Sequence, residues 1–178
     1  MIGTALSFVC GKLNTYFRDA QHDSRDVVSL CPPEGHAAAS THELTNRILF
    51  SLCNVLQETT LRNQLPPKST SSANRPSRAP LSINLHVVFS ANYTDYVTGL
   101  DFLSDVLSFL QAMPVFDHQN SPDLNPRIQK LAFSMVNLDY AQLSNLWSML
   151  RVEYRPSALY ELRMLTLPQP WPSSSPSG

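Results

Sequence analysis

The stretch that decides the fold is LSINLHVVF, residues 81–89. Leu81, Ile83, Leu85, Val87 and Phe89 alternate with Ser82, Asn84, His86 and Val88, so successive side chains sort onto two faces. A period of two is the signature of a strand with one face in a core. Everything downstream of it alternates between helical and strand periodicity. Thr94 or Asp95 can cap a helix by accepting from the free amides of its first turn. Leu100, Leu103, Val106, Leu107 and Leu110 form that helix's apolar stripe, and Pro114 ends it. After a Pro/Asn/Asp-rich loop, HQNSPDLNP, a second strand is predicted around Lys130–Val136, with Leu131, Phe133 and Met135 on one side. Asp139 and Gln142 have the spacing of a capping box ahead of Leu143, Leu146, Trp147 and Leu150. A last strand follows from Arg155, with Ala158, Tyr160, Leu162 and Met164 on one face; Pro156, lacking an N–H, places its start at an edge or bulge.

Upstream of the deciding stretch, Ile2, Leu6, Val9, Leu13 and Phe17 recur at spacings of three and four and predict an amphipathic helix over 2–20. Val27–Leu30 is a short β-prone piece stopped by Pro32 and Pro33. Arg47–Leu56 is mostly apolar on both faces and fits a central strand, with helix the alternative for so short a run. Between these lie a small-residue loop, Gly35–Thr41, and a low-complexity segment, QLPPKSTSSANRPSRAP, residues 64–80. Its prolines and polar residues cannot build a core, so it reads as a mobile loop. The end, PQPWPSSSPSG, residues 168–178, reads as a tail. The domain is therefore expected over 1–167. Its class is α+β, α/β in content, with a single mixed or antiparallel sheet flanked by about three helices.

Composition narrows the function. The chain has 178 residues, 43% hydrophobic and only 15% charged, with a net charge of −1. Typical domains carry about 25% charged residues. A near-neutral, charge-poor surface supplies no field for nucleic acid or anionic lipid and favours association. No run approaches the ~18 apolar residues of a bilayer span. The beginning of the chain lacks the basic segment of a secretory leader. Cys10, Cys31 and Cys53 are odd in number and contain no C-x-x-C, so they read as buried free thiols of a reducing compartment.

The search for reaction chemistry is negative. G-x-G-x-x-G, the P-loop pattern and G-x-S-x-G are all missing from a chain with five glycines. Of the histidines only His86 lies in a regular element, and no pair stands at i, i+4 on a helix. Asp101 and Asp105 do stand at i, i+4, where they repel mildly on a solvated face. No catalytic, cofactor-binding or metal-ligating residue is assigned. Charge is instead segregated. Residues 64–80 hold Lys68, Arg75 and Arg78 and no acid, whereas residues 81–126 hold five aspartates and no cation. Such blocks can meet between subunits and orient an assembly. Ten of the thirteen cations are arginine, the cation favoured at interfaces because its planar fork binds carboxylates in pairs of bonds.

The order of these pieces resembles a known family. LSINLHVVFSANYTDYVTGLDFLSDVLSFLQAMPVF, residues 81–116, carries a Leu-x-Leu strand after a proline loop and a helix ending at Met-Pro. LAFSMVNLDYAQLSNLWSMLRVEYRPSALYELRMLTL, residues 131–167, carries a Leu146-Trp147 helix and the strand Tyr154-Arg-Pro-Ser-Ala-Leu-Tyr160-Glu161. Together they look like the tail-terminator, or distal cap, proteins of extracellular contractile injection systems of the antifeeding-prophage and Photorhabdus-virulence-cassette type. The likeness extends more loosely through Arg47–Val55 and Leu61-Arg62-Asn63, over about residues 2–167.

That resemblance implies a non-enzymatic protein without cofactors. It implies a hexameric ring that ends the inner tube and contractile sheath, made in a bacterial cytoplasm and released with the particle. The partners it implies are further copies of the chain and the tube and sheath proteins, with neither nucleic acid nor membrane. A sheath arm could join by adding a strand to an exposed sheet edge. Candidate interface residues are Arg62, Lys68, Arg75, Arg78, Asp101, Asp105 and Arg155; Trp147 and Tyr160 are expected as structural anchors. The rival readings are a phage tail terminator or baseplate component and, from another class, a small ligand-binding or hydrolytic domain.

Overall fold

The structure is a computed structural model and describes residues 1–21, 25–32, 44–58 and 82–166. The elements run α1 (Ile2–Gln21), β1 (Val28–Leu30), β2 (Arg47–Gln57), β3 (Ser82–Asn92), α2 (Tyr96–Ala112), β4 (Val115–Asp117), β5 (Ile128–Val136), α3 (Tyr140–Leu150) and β6 (Ser157–Thr166). They form one six-stranded sheet in the order β1-β2-β3-β6-β5-β4. β1 lies parallel to β2 and every other pair is antiparallel, so the sheet is mixed and the class is α+β.

The alternation of residues 81–89 appears as register. Leu85 faces Leu162, Val87 faces Tyr160 and Phe89 faces Ala158, all buried on one side of the sheet. Phe50 stacks flat on Phe89 across the β2–β3 pair, with ring centroids 4.5 Å apart. Tyr160 sets its ring edge-on to both Phe89 and Phe133. This face is covered by α1 and α2, whose stripes Ala5, Leu6, Val9, Leu13, Phe17 and Leu103, Val106, Leu110 join the same cluster. Gly99 lets the first turn of α2 sit close on the end of β3. A Cβ there would stand 3.0 Å from the Cβ of Tyr93.

α1 touches both edges of the sheet. Its Phe8 meets Phe116 of β4 edge-on at 5.8 Å. At the other edge, Asn14 is buried and its amide takes both outward-facing groups of Val28. Nδ2 donates to the Val28 carbonyl at 2.9 Å, and Oδ1 accepts from the Val28 N–H at 2.8 Å. One helix reaching the first and last strands means that the sheet curls around it. The amide stands where the next strand would otherwise pair, which closes that part of the edge.

Three readings of the sequence need correction. Pro156 marks neither an edge nor a bulge at the start of β6, which lies inside the sheet between β3 and β5 and pairs with β3 from Ser157 without a register shift. Pro156 comes just before the ladder, so its missing N–H is never required, and its carbonyl accepts from the Ala91 N–H at 2.9 Å. The short strand β4 lies directly after Pro114, in a place where the sequence shows no pattern long enough to mark a strand. The three thiols are free but only half-buried. The segments 64–80, 35–41 and 168–178 lie outside the described residues.

α3 is fixed by local chemistry. The Asp139 carboxylate accepts from the Gln142 N–H at 2.7 Å, and the Gln142 side chain accepts from the Asp139 N–H at 3.0 Å. The predicted capping box is thus complete. The helix buries only Trp147 and Leu150. These lie outside the α1/α2 cluster, as do Leu49, Val88 and Leu159 on the opposite face of the sheet.

Replacing Asn14 by alanine would strand the buried Val28 N–H and leave the Val28 carbonyl with only the weak Cys10 thiol donor at 3.4 Å. The expected loss is about 1–3 kcal/mol. Urea denaturation at neutral pH checks it; a change under about 0.5 kcal/mol would show that water already serves Val28.

Candidate functional site

Among the described residues, no group of three or more His, Cys, Asp or Glu side chains could hold a metal ion. No described helix is long and apolar enough to cross a membrane. What the fold presents is a set of surfaces.

The first is a polar ribbon on the face of the sheet turned away from α1 and α2. The pairs Asn84–Arg163 and His86–Glu161 lie directly opposite across β3 and β6. The Arg163 Nε is 3.3 Å from a Glu58 carboxylate oxygen and its Nη2 is 3.5 Å from Glu161. His86 Nε2 stands 3.7 Å from Glu161. Asn84 donates to Glu58 at 3.1 Å. Glu58 is the buried member of this chain of groups, and Arg163 is its half-exposed cation. A carboxylate out of water requires such a partner, which gives the ribbon a fixed arrangement.

The second is the pair of sheet edges. β1 covers only Ile48–Phe50 of the eleven residues of β2. Among the described residues nothing pairs with the outer side of the rest, where Val55 and Leu56 are exposed. β2 also bulges between Leu52 and Asn54. At the opposite edge, β4 covers Lys130–Ala132 of β5, and Phe133 donates to the Pro114 carbonyl. By strand alternation Met135 turns its N–H and C=O the same way as Phe133, beyond the end of β4, with its side chain exposed.

The third is a groove of about 410 Å³ along α3, lined by Tyr140, Leu143, Trp147, Arg151 and Tyr154 among others. Tyr154 meets Trp147 edge-on at 5.7 Å. The Trp147 Nε1 is buried, with no hydrogen-bond partner among the described residues.

The predicted site residues distribute as follows. Asp101 is exposed on α2 and Asp105 is half-buried one turn on. Arg155 sits half-buried between α3 and β6, and Trp147 and Tyr160 are both buried. Arg62, Lys68, Arg75 and Arg78 lie outside the described residues. The proposed meeting of that basic segment with the aspartates is therefore left to experiment. Sequence reasoning missed Glu58 and Arg163. Their pairing depends on a register between strands over a hundred residues apart, which no local pattern carries.

Burial pushes all three thiols above their ordinary value, Cys53 to about 11. Asp123 is held below the usual carboxylate range by the hydrogen bond and charge of Lys12, 2.8 Å away.

These features define an α+β domain with one mixed sheet curled on a helix and partly open edges. The chain belongs to the family described as the Pvc16 N-terminal domain, whose pattern matches residues 8–177. The fold is similar to that of the anti-feeding prophage cap, a tube-terminating cap (TM-score 0.53, 15% identity, 96% of this chain). It is also similar to the sheath/tube terminator of the PVC extracellular contractile injection system in its extended state (TM-score 0.50, 14% identity, 94% of this chain). The chain spans 59% of the length of each. No curated protein matches the sequence.

Because only the thiolate reacts, alkylation of Cys53 at pH 8 should run about a hundredfold slower than that of an unperturbed thiol. Its rate should climb as pH rises toward 11. Mass-resolved iodoacetamide labelling measures this, and labelling of Cys53 as fast as a free thiol would contradict the burial. Arg163→Met should cost about 1–2 kcal/mol by removing a cation from beside the buried Glu58 carboxylate, read as a lower denaturation midpoint. Adding Glu58→Gln should recover part of the loss.

Proposed function

We propose that this chain is the assembly domain of a distal cap for a contractile injection particle. It forms a ring of six copies that ends the inner tube and its sheath and performs no catalysis. The ring is built in a bacterial cytoplasm and leaves with the particle. The observation that carries this reading is the fold, shared with a tube-terminating cap over 96% of the chain.

The physical case follows from how tubes grow. Tube and sheath subunits stack head to tail, and such contacts repeat without limit until a last component covers the growing face. A cap must therefore copy one half of the repeating contact and withhold the other. The half-covered edges suit this task. The uncovered length of β2 can receive an extended arm through backbone bonds. At the same edge, Asn14 blocks β1 from pairing, so the region open to an incoming strand is bounded.

Electron microscopy of the purified chain with size measurement is the direct test. Six-fold rings are the expected result, and a monomer persisting at high concentration would defeat the proposal. Deleting the gene should give particles of uncontrolled length or unstable ends; particles of normal length would be equally decisive against it.

A further inference from the structure

Two exposed surfaces, one on α3 and one on α2, are complementary in character. One is the α3 groove. α3 carries no charged residue from Tyr140 to Leu150, and Tyr140 is 93% exposed. A solvated helix face ordinarily carries charges, whereas aromatic and methionine surface without charge is typical of interface cores. Met149 and Tyr154 are exposed beside it. Arg151 stands at the end of this groove as the C-cap of the helix, with φ 56° in the left-handed region. That conformation favours glycine and strains residues with a Cβ. An arginine in a glycine position points to a task for its side chain.

The other surface is the outer stripe of α2. Tyr96 and Val97 are both about two-thirds exposed. Val97, Asp101, Ser104 and Ser108 follow one another along the exposed side of the helix. No cation lies between residues 81 and 126, while residues 127–163 hold Arg127, Lys130, Arg151, Arg155 and Arg163 against three acids. Among the described residues neither Asp101 nor Arg151 has an ion-pair partner. The buried hydrophobic residues of α2 belong to the main core and those of α3 do not, so the two helices are anchored in different places.

We infer that the α2 stripe of one copy seats in the α3 groove of a second copy, Val97 against Trp147 and Asp101 facing Arg151. The spacing agrees: Val97 and Asp101 are four residues apart, as are Trp147 and Arg151, so one helical turn lies against one helical turn. The contact joins two different patches. It therefore repeats from copy to copy instead of stopping at a dimer, and gives a ring when the rotation between copies closes. The inference rests on the ring reading above and names the surfaces that build it.

The test uses the full chain and light scattering over a concentration series. Asp101→Arg and Arg151→Asp should each weaken association about tenfold or more. An equimolar mixture of the two variants should recover it, because in an alternating ring every contact again pairs opposite charges. Arg151→Gly separates assembly from folding: it should keep or raise the melting temperature, since glycine suits the backbone, and still weaken association. Rings of the unaltered chain that tolerate both charge reversals would overturn this contact and leave the ring reading standing. Loss in both variants without recovery on mixing would also overturn it. An unaltered chain that never associates would remove both.

Discussion

The constraint on which the structure depends is the hold of α1 on both ends of one sheet. A sheet of six strands with so few charges has two liabilities, an apolar face and two edges. α1 answers both with a single surface. Its stripe from Ala5 to Phe17 fills the concave side. Phe8 reaches β4, and Asn14 satisfies β1. The ion pair of Lys12 with Asp123 ties the same helix to the loop before β5. The curl follows from these contacts, since a flat sheet of this width could not bring both margins to one helix. α2 then closes the remaining inner face over β2 and β3, and Gly99 permits its close approach.

Local chemistry was legible in the sequence, and long-range pairing was not. The alternation of residues 81–89 marked β3 and its core face because a period of two survives any register. The Asp139–Gln142 spacing marked the start of α3 because a capping box is complete within four residues. Tyr160 and its neighbours at 158, 162 and 164 declared their face in the same way. The interior position of β6 could not be read, since Pro156 carries the same letter whether it precedes a strand or breaks one. β4 has three residues and takes its identity from β5. Asn14 interrupts an apolar stripe and reads as a polar break until β1 is folded beside it. The Glu58–Arg163 pair exists only by virtue of the strand register.

The same division separates stability from assembly. The inner face is apolar and specific through packing, with aromatic rings meeting edge to face from Phe116 through Phe133 and Tyr160 to Phe89. The outer face spends its polar groups on an ordered ribbon, and α3 is lightly anchored by two side chains outside the main core. Arg163 lies on that outer face, whereas the aspartates of α2 lie on a helix that covers the inner one. A body with unlike sides has a direction, and direction is what a component at the end of a filament requires.

The amide of Asn14 has a consequence for chemical ageing. Hydrolysis to a carboxylate would exchange a donor for a lone pair facing the Val28 carbonyl and would place a charge inside the protein. A change of one atom would set two acceptors against each other and release the first strand. Asn14 lies mid-helix, where regular backbone hydrogen bonding holds the following amide nitrogen away from the side chain it would have to attack. The geometry that uses this residue as a clasp is also what slows its decay.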